Sequence, residues 1–159
     1  MKLRMSVTAP TGRLHPTHDL EIADDYESLV MDVCKILSET NCHFSMSGFG
    51  QDDWPVDISY DLSSVIEQLP AAIANLQRGF QAEIDLYGQG VERRLSFIPS
   101  GDLVEIRCAS GTKWSPDPEM EIASRSEIME LLTGLARDFK IAVQKTLPDL
   151  VTRSPFATW

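Results

Sequence analysis

Apolar and polar residues alternate along several short stretches of this chain, which is the pattern of a strand with one buried face. Residues 3–7 and 42–46 each place an apolar side chain at every second position, and a glycine-containing turn sequence follows each stretch. The run 56–60, which comes after an acidic loop, is interpreted as a further short strand. The pattern therefore predicts three strands in the first part of the chain.

The clearest alternation lies between residues 80 and 109. Apolar positions recur at every second residue in 80–86, 91–98 and 103–108, and the turn sequences Gly88-Gln89-Gly90 and Pro99-Ser100-Gly101-Asp102 separate these runs. Short turns between consecutive strands indicate an antiparallel meander. The polar positions of such a sheet face solvent and can pair across strands; they are Glu83, Asp85, Glu92, Arg94, Glu105 and Arg107.

Two other stretches show the three- and four-residue spacing of amphipathic helices. The first begins at a capping residue, Asp24 or Asp25, and ends near Asn41. The second begins at the capping-box sequence Ser124-Arg125-Ser126-Glu127 and ends near Pro148. Both are expected to bury one apolar face.

A further helix is predicted between Asp61 or Ser63 and Gly79, and it contains Pro70. Proline lacks the backbone N–H that a helix interior uses, and its ring crowds the preceding turn. We therefore expect this helix to kink or split at Pro70.

Length and composition fit one globular domain, because the chain has 159 residues of which 43% are hydrophobic. A chain of about 150 residues buries about 70% of the surface that its unfolded form exposes, so the core needs neither a metal nor a disulfide. We predict a single α+β domain over residues 1–159, with an antiparallel sheet (the meander at 80–109) packed on one face by about three helices. The tail 149–159 carries Phe156 and Trp159, which we expect to dock on the core.

The chain is strongly acidic, with 24 Asp and Glu against 14 Lys and Arg and a net charge of -10. Nucleic acids and anionic membranes would repel it at long range, so neither is expected as a partner. An acidic surface accelerates encounter with a basic protein, which makes a basic protein the favoured partner. The alternative is that the excess charge only keeps the protein in solution.

The sequence gives no indication of export. No segment reaches the roughly 18 apolar residues of a membrane span, and the first residues alternate instead of forming an apolar run. The three cysteines, Cys34, Cys42 and Cys108, are odd in number and form no CxxC pair, which fits a reducing compartment. We expect a cytoplasmic protein.

Candidate chemistry is sparse. His15 and His18 stand near Asp19 and Glu21, but His43 is the only other histidine, so we expect no metal site. Cys42 and His43 are neighbours on a predicted strand and point to opposite faces, which separates a thiol from its base. The chain has no GxSxG elbow, dinucleotide loop or GxxxxGK phosphate loop. We expect no catalytic residues, no cofactor and no enzymatic activity.

One cluster has the composition of a binding surface. Carboxylates surround aromatic residues near the predicted second strand, in the set Asp52, Asp53, Trp54, Asp57 and Asp61. Interfaces place aromatic anchors within a charged rim in this way. The alternative is a solvated loop whose Trp54 lies in the core. A second candidate surface is the outer face of the sheet, with Glu83, Asp85, Glu105 and Arg107.

The second two-thirds of the chain resembles a known class of proteins. The residues that carry the resemblance are Asp61-Leu62, Leu69-Pro70, Gly79, the run Ile84 to Phe97, Val104 to Cys108, and Trp114-Ser115-Pro116. This pattern is similar to that of the small acidic immunity proteins that accompany bacterial polymorphic and contact-dependent toxins. The resemblance implies a cytoplasmic, non-enzymatic protein that binds and neutralises one cognate toxin domain.

Two alternatives to an immunity protein are open at the level of sequence. In one, the chain is a small-ligand-binding domain or a minor enzyme with an apolar pocket lined by Phe44, Trp54, Phe97 and Trp114. In the other, it is an adaptor or secretion chaperone that binds an effector without inactivating it. The first alternative requires an apolar cavity, whereas the second shares the acidic surface of the main hypothesis.

Overall fold

The computed structural model describes residues 1–12, 25–88 and 90–159. They form the elements β1 (Arg4–Thr8), α1 (Tyr26–Ser38), β2 (His43–Ser47), α2 (Ser63–Gln77), β3 (Ala82–Leu86), β4 (Arg93–Ser100), β5 (Leu103–Ser110), β6 (Met120–Ser124) and α3 (Arg125–Thr146). β1 and β2 make an antiparallel pair, and β3 to β6 make a four-stranded antiparallel sheet in sequential order. This is the α+β single domain that the sequence predicts.

Some residues of the sequence predictions lie outside the described part of the chain. They are the alternative cap Asp24, the histidines His15 and His18 with their acidic neighbours, and Gln89 in the turn before β4. Asp25 caps α1, because its carboxylate accepts a hydrogen bond from the backbone N–H of Ser28 at 2.8 Å.

The core lies between the helices and one face of each sheet. α3 packs mainly on β1, and α2 packs along β3 and against both α1 and α3. In β5 the side chains of Val104, Ile106 and Cys108 are buried on the helix side, as their alternation predicts. The opposite face of the four-stranded sheet, here called the outer face, carries exposed side chains, and none of the described helices packs on it.

α2 is continuous across Pro70, so the helix does not split there. The missing N–H of Pro70 leaves the carbonyl of Ile66 without its helical partner. The hydroxyl of Tyr26 on α1 donates a hydrogen bond to this carbonyl at 2.8 Å. The tertiary contact therefore satisfies the group that would otherwise have been left unpaired.

The strand predicted at residues 56–60 is also wrong, because Ile58–Leu62 forms a π-helical turn that leads into α2. Its first residues are held by the carboxylate of Asp57, which accepts from the N–H of Tyr60 at 2.7 Å and of Asp61 at 3.4 Å. The N–H of Leu62 reaches the carbonyl of Asp57, five residues earlier, at 3.0 Å. A side-chain acceptor at the cap thus favours a helical turn over an extended run.

β6 was not predicted from the sequence. Its burial pattern places Glu121 and Ala123 on the helix side and Met120 and Ile122 on the outer face. A charged residue points inward while two large apolar residues point outward, which is the reverse of the usual pattern for a strand with one buried face. The alternation of apolar and polar residues therefore could not predict which side chains of β6 face the core.

The chain after α3 folds back on the helices in two short 3-10 helices, Pro148–Thr152 and Phe156–Thr158. Phe156 is fully buried, and its ring lies 6.1 Å from that of Phe139 and 5.4 Å from that of Trp159. Lys140 donates a hydrogen bond to the carbonyl of Trp159 at 2.9 Å. These contacts attach the tail to α3.

Candidate binding surface

The second set of predicted site residues lies together on the outer face. Arg94 of β4 stands opposite Asp85 of β3, and its Nε and Nη2 lie 3.2 and 3.1 Å from Asp85 Oδ2. Arg107 pairs with Glu105 on β5, and Ser96 donates to Glu83 at 3.3 Å. Most charges on this face are therefore paired with each other. Its net charge is small.

Apolar side chains lie beside these ion pairs. Leu103 is 51% exposed, Ile122 is 52% exposed and Met120 is 40% exposed, and all three point to the outer face. In the register of the sheet, Glu105 stands between Ile98 and Ile122. The outer face thus combines an exposed apolar area with charged neighbours, which is the composition of protein interfaces.

Two open cavities lie on this face. One of about 460 Å³ is lined by Ser96, Arg107, Cys108, Ala109, Glu119 and Met120. The other, of about 340 Å³, lies near the turn between β3 and β4, and its lining includes Asp85, Tyr87 and Arg94. Charged and polar groups contribute to both linings. They differ from the apolar pocket that the small-ligand alternative requires.

The aromatic residues named for that pocket are packed in the core or against it. Phe44, Trp54 and Phe97 are buried, and Trp114 packs on Trp54 with ring centroids 6.0 Å apart. The guanidinium of Arg93 lies over both indole rings, 4.2 Å from the centroid of Trp54 and 3.4 Å from that of Trp114. A side chain, and not a cavity, occupies the space between the two tryptophans.

The first set of predicted site residues is divided between the surface and the core. Trp54 is 2% exposed, and its indole N–H donates to the carbonyl of Gly48 at 3.1 Å, so the expectation of an exposed anchor is wrong. Asp61 is 4% exposed and also does not reach the surface. Asp57 is exposed but serves as a cap. Asp52 and Asp53 remain as exposed carboxylates.

Arg93 is a structural feature that sequence reasoning missed. It is 3% exposed, and its Nη2 donates to Gln51 Oε1 at 2.7 Å, while Nε and Nη1 have no hydrogen-bond partner among the described residues. Burial lowers the pKa of Arg93, but a guanidinium titrates so far above neutrality that it stays charged. The two indole faces stabilise this charge. In the sequence, Arg93 has the same parity along β4 as the inward-facing Leu95 and Phe97, and this alternation indicates that its charged side chain is buried.

Glu121 is the second buried charge at this end of the sheet. Its carboxylate accepts three backbone N–H groups, from Lys2 at 2.5 Å, Leu3 at 2.9 Å and Phe49 at 3.1 Å. Desolvation raises the pKa of Glu121, but the three hydrogen bonds together outweigh it and hold the pKa below its usual value. Glu121 therefore joins β6 to the start of β1 and to the loop after β2.

These contacts bring two acidic loops side by side. The N–H of Asp117 donates to the carbonyl of Phe49 at 3.0 Å. Gly50 has a φ of +81°, and a side chain there would collide with the Asp117 carbonyl, so glycine is required for this approach. The result is an acidic end at the start of β6. We define it by four exposed carboxylates that form no ion pair among the described residues: Asp52, Asp53, Asp117 and Glu119.

The buried thiols are unsuited to nucleophilic chemistry. Burial raises the pKa of Cys42 and of Cys108 to about 11, and it raises the pKa of Cys34 further. All three are therefore protonated at neutral pH, whereas a nucleophile needs the thiolate. Cys42 is buried while His43 is exposed, as expected for neighbours at the start of a strand.

Within residues 1–12, 25–88 and 90–159, no three His, Cys, Asp or Glu side chains are grouped so that they could hold a metal ion. No helix there combines the length and apolar character needed to cross a membrane.

The chain was compared with known proteins at three levels. No family model, no curated protein and no solved structure matched it.

Proposed function

We propose that this chain is a non-enzymatic binding protein, an immunity protein that neutralises a basic protein toxin by docking it on the outer face and the acidic end. The observation that carries the proposal is the uncovered face of the four-stranded sheet. It exposes Leu103, Met120 and Ile122. The acidic end, whose four carboxylates form no ion pair in the described part of the chain, lies where β6 begins.

The apolar residues of this surface supply the area that a stable complex buries. Specific interfaces bury about 1,600 Å² in total, with an apolar centre and a polar rim. Met120 and Ile122 lie on β6, directly after the loop that carries Asp117 and Glu119. A partner that covers the apolar area would therefore also meet the acidic end.

The acidic end supplies long-range attraction. Its carboxylates are exposed, so their field extends into the solvent and accelerates encounter with a cationic partner. They have little effect on the stability of the fold. This mechanism predicts fast association that slows as salt is added, because the Debye length shortens from about 10 Å at 0.1 M to about 3 Å at 1 M.

The immunity role is tested in cells that encode the chain. We expect a strain that lacks the gene to be killed by the parental strain in co-culture, and expression of the chain to restore survival. Survival without the gene would contradict the proposal. If the chain binds a toxin whose activity persists in the complex, the adaptor or secretion-chaperone alternative would replace it.

The acidic end is tested by charge reversal. Asp52→Lys with Asp53→Lys should lower the association rate constant for the toxin by about tenfold at low salt, because electrostatic steering is lost. The matched control is Glu130→Lys with Asp149→Lys, which makes the same change in net charge at exposed positions of α3 and the tail. Stopped-flow fluorescence at low and high salt measures the association rate constant of each double variant. Equal effects of the two pairs would remove the acidic end from the mechanism.

A further inference from the structure

The two edge strands of the four-stranded sheet, β3 and β6, differ in the partners of their outward-facing backbone groups. At the β3 edge, the side-chain amide of Gln68 behaves like a neighbouring strand. Its Nε2 donates to the carbonyl of Asp85 at 2.9 Å, and its Oε1 accepts the N–H of Asp85 at 2.9 Å. At Glu83, two residues earlier, a charged and exposed side chain disfavours pairing with another strand.

The β6 edge has open backbone groups. Cys108 N–H donates to Glu119 O at 3.2 Å, and Arg125 N–H donates to Asp102 O at 2.8 Å. Hydrogen-bonded and non-bonded pairs alternate along an antiparallel ladder, so Glu121 and Ala123 also bond to β5. The backbone N–H and C=O of the intervening residues Met120 and Ile122 therefore point away from β5, and neither residue has a partner for them in the described part of the chain.

The open stretch of the edge is short and well delimited. It ends at Ser124, whose N–H donates to the Glu127 carboxylate at 2.8 Å in the capping box of α3. It starts beside Glu119, at the acidic end. Four backbone groups, two N–H and two C=O, are thus available between an acidic loop and a capped helix.

We propose that the partner adds an extended segment to the β6 edge and pairs with the backbone of Met120 and Ile122. This inference rests on the proposed function for the identity of the partner, a basic protein. In such strand addition the backbone bonds supply affinity, and alternate side chains supply specificity. The segment has apolar residues that cover Ile122 and Met120 on the outer face, and Lys or Arg residues that face Asp117 and Glu119.

The test uses Ile122→Pro and its control Ile122→Thr. Proline removes only the N–H that points away from β5, so the ladder with β5 keeps its hydrogen bonds, whereas threonine keeps the N–H and favours a strand.

The probe is a cyclic β-hairpin peptide in which one strand alternates Lys and Val. The outward-facing amides of its other strand are N-methylated, so that only the Lys-Val strand can pair with a sheet edge. A second hairpin, N-methylated on the Lys-Val edge, is the matched control peptide.

We expect the first hairpin to bind the wild-type chain and Ile122→Thr with similar affinity, and to bind Ile122→Pro at least tenfold more weakly. The second hairpin should bind none of them. In the wild-type complex, amide hydrogen exchange of Met120 and Ile122 should slow at least tenfold, a measurement that does not depend on the folding of a variant. Absence of binding, equal binding to all three chains, or unchanged exchange would overturn the proposal.

Co-culture separates this inference from the proposed function. Full protection by Ile122→Pro would overturn edge pairing while the immunity role stands. Survival of the strain that lacks the gene would overturn the immunity role, while the hairpin experiment would still decide whether the β6 edge pairs. Sedimentation that shows a dimer of the wild-type chain, dissociated by Ile122→Pro, would assign the edge to a second copy and also overturn the proposal.

Discussion

Two buried carboxylates in this protein have opposite pKa shifts. Asp61, in the π-helical turn before α2, is 4% exposed, and Glu121, on β6, is 7% exposed. Burial disfavours the charged form of both groups. The pKa of Asp61 is raised, as burial predicts, whereas the pKa of Glu121 is lowered.

The number of hydrogen-bond donors accounts for the difference. Desolvation raises the pKa of Asp61, the N–H of Asp57 at 2.8 Å compensates only in part, and the nearby Asp57 carboxylate adds repulsion. Asp61 Oδ1 has no hydrogen-bond partner among the described residues. Glu121 has three N–H donors, and no carboxylate of the described residues raises its pKa by repulsion. Burial alone does not set the sign of the shift.

The two groups also differ in what they join. Asp61 and its donor Asp57 lie four residues apart, so their hydrogen bond stabilises one local turn. Glu121 binds donors that lie 72 to 119 residues away in the sequence. Glu121 therefore holds together the junction that carries the acidic end and the β6 edge.

The largest expected effect is that of Glu121→Gln. The substitution replaces one acceptor oxygen by an NH₂ group that faces backbone donors, so we expect the free energy of unfolding to fall by about 2 to 4 kcal/mol. Urea denaturation measures the change. The control Glu119→Gln, at an exposed position two residues away, should change it by less than about 0.5 kcal/mol. Equal losses would show that Glu121 is not a structural junction.

A smaller effect is expected on changing pH. The folded-state pKa of Glu121 lies below its ordinary value of 4.5, so its stabilisation is present above 4.5 and is lost as pH falls through the folded-state pKa. Asp61 acts in the opposite sense. Its folded-state pKa lies above 3.8, so the folded state retains the proton, and stability falls as pH rises from 3.8 through that pKa.

Urea denaturation from about pH 3 to about pH 6 tests both signs. The stability difference between the wild-type chain and Glu121→Gln should shrink below pH 4.5. A difference that is independent of pH would mean that the charge of Glu121 is not what its three donors stabilise.

The smallest effect is expected for Asp61→Asn. A neutral amide costs less to bury than a carboxylate and can still accept the N–H of Asp57, so the free energy of unfolding at neutral pH should stay within about 1 kcal/mol of wild type or rise. Thermal and urea unfolding measure it. A loss of more than about 2 kcal/mol would show that Asp61 needs its charge as Glu121 does, and the contrast between them would fail.

The sequence predicted those parts of the fold that depend on local interactions. The meander from β3 to β5 follows from alternation and short turns, and the start of α3 follows from its capping box at Ser124 and Glu127. The residues of the outer face, such as Asp85 and Glu105, were placed correctly because a strand fixes the direction of each side chain. These features need only neighbours in sequence or across one turn.

The tertiary structure decided which polar groups are satisfied. Pro70 does not break α2 because Tyr26, 40 residues from Ile66, donates to the freed carbonyl. Trp54 is buried because Arg93 and Trp114 pack on it, and β6 turns Glu121 inward because distant N–H groups meet it there. A buried polar group is stable only with a partner. Sequence patterns determine which face a side chain occupies, whereas the fold determines which distant partners it finds.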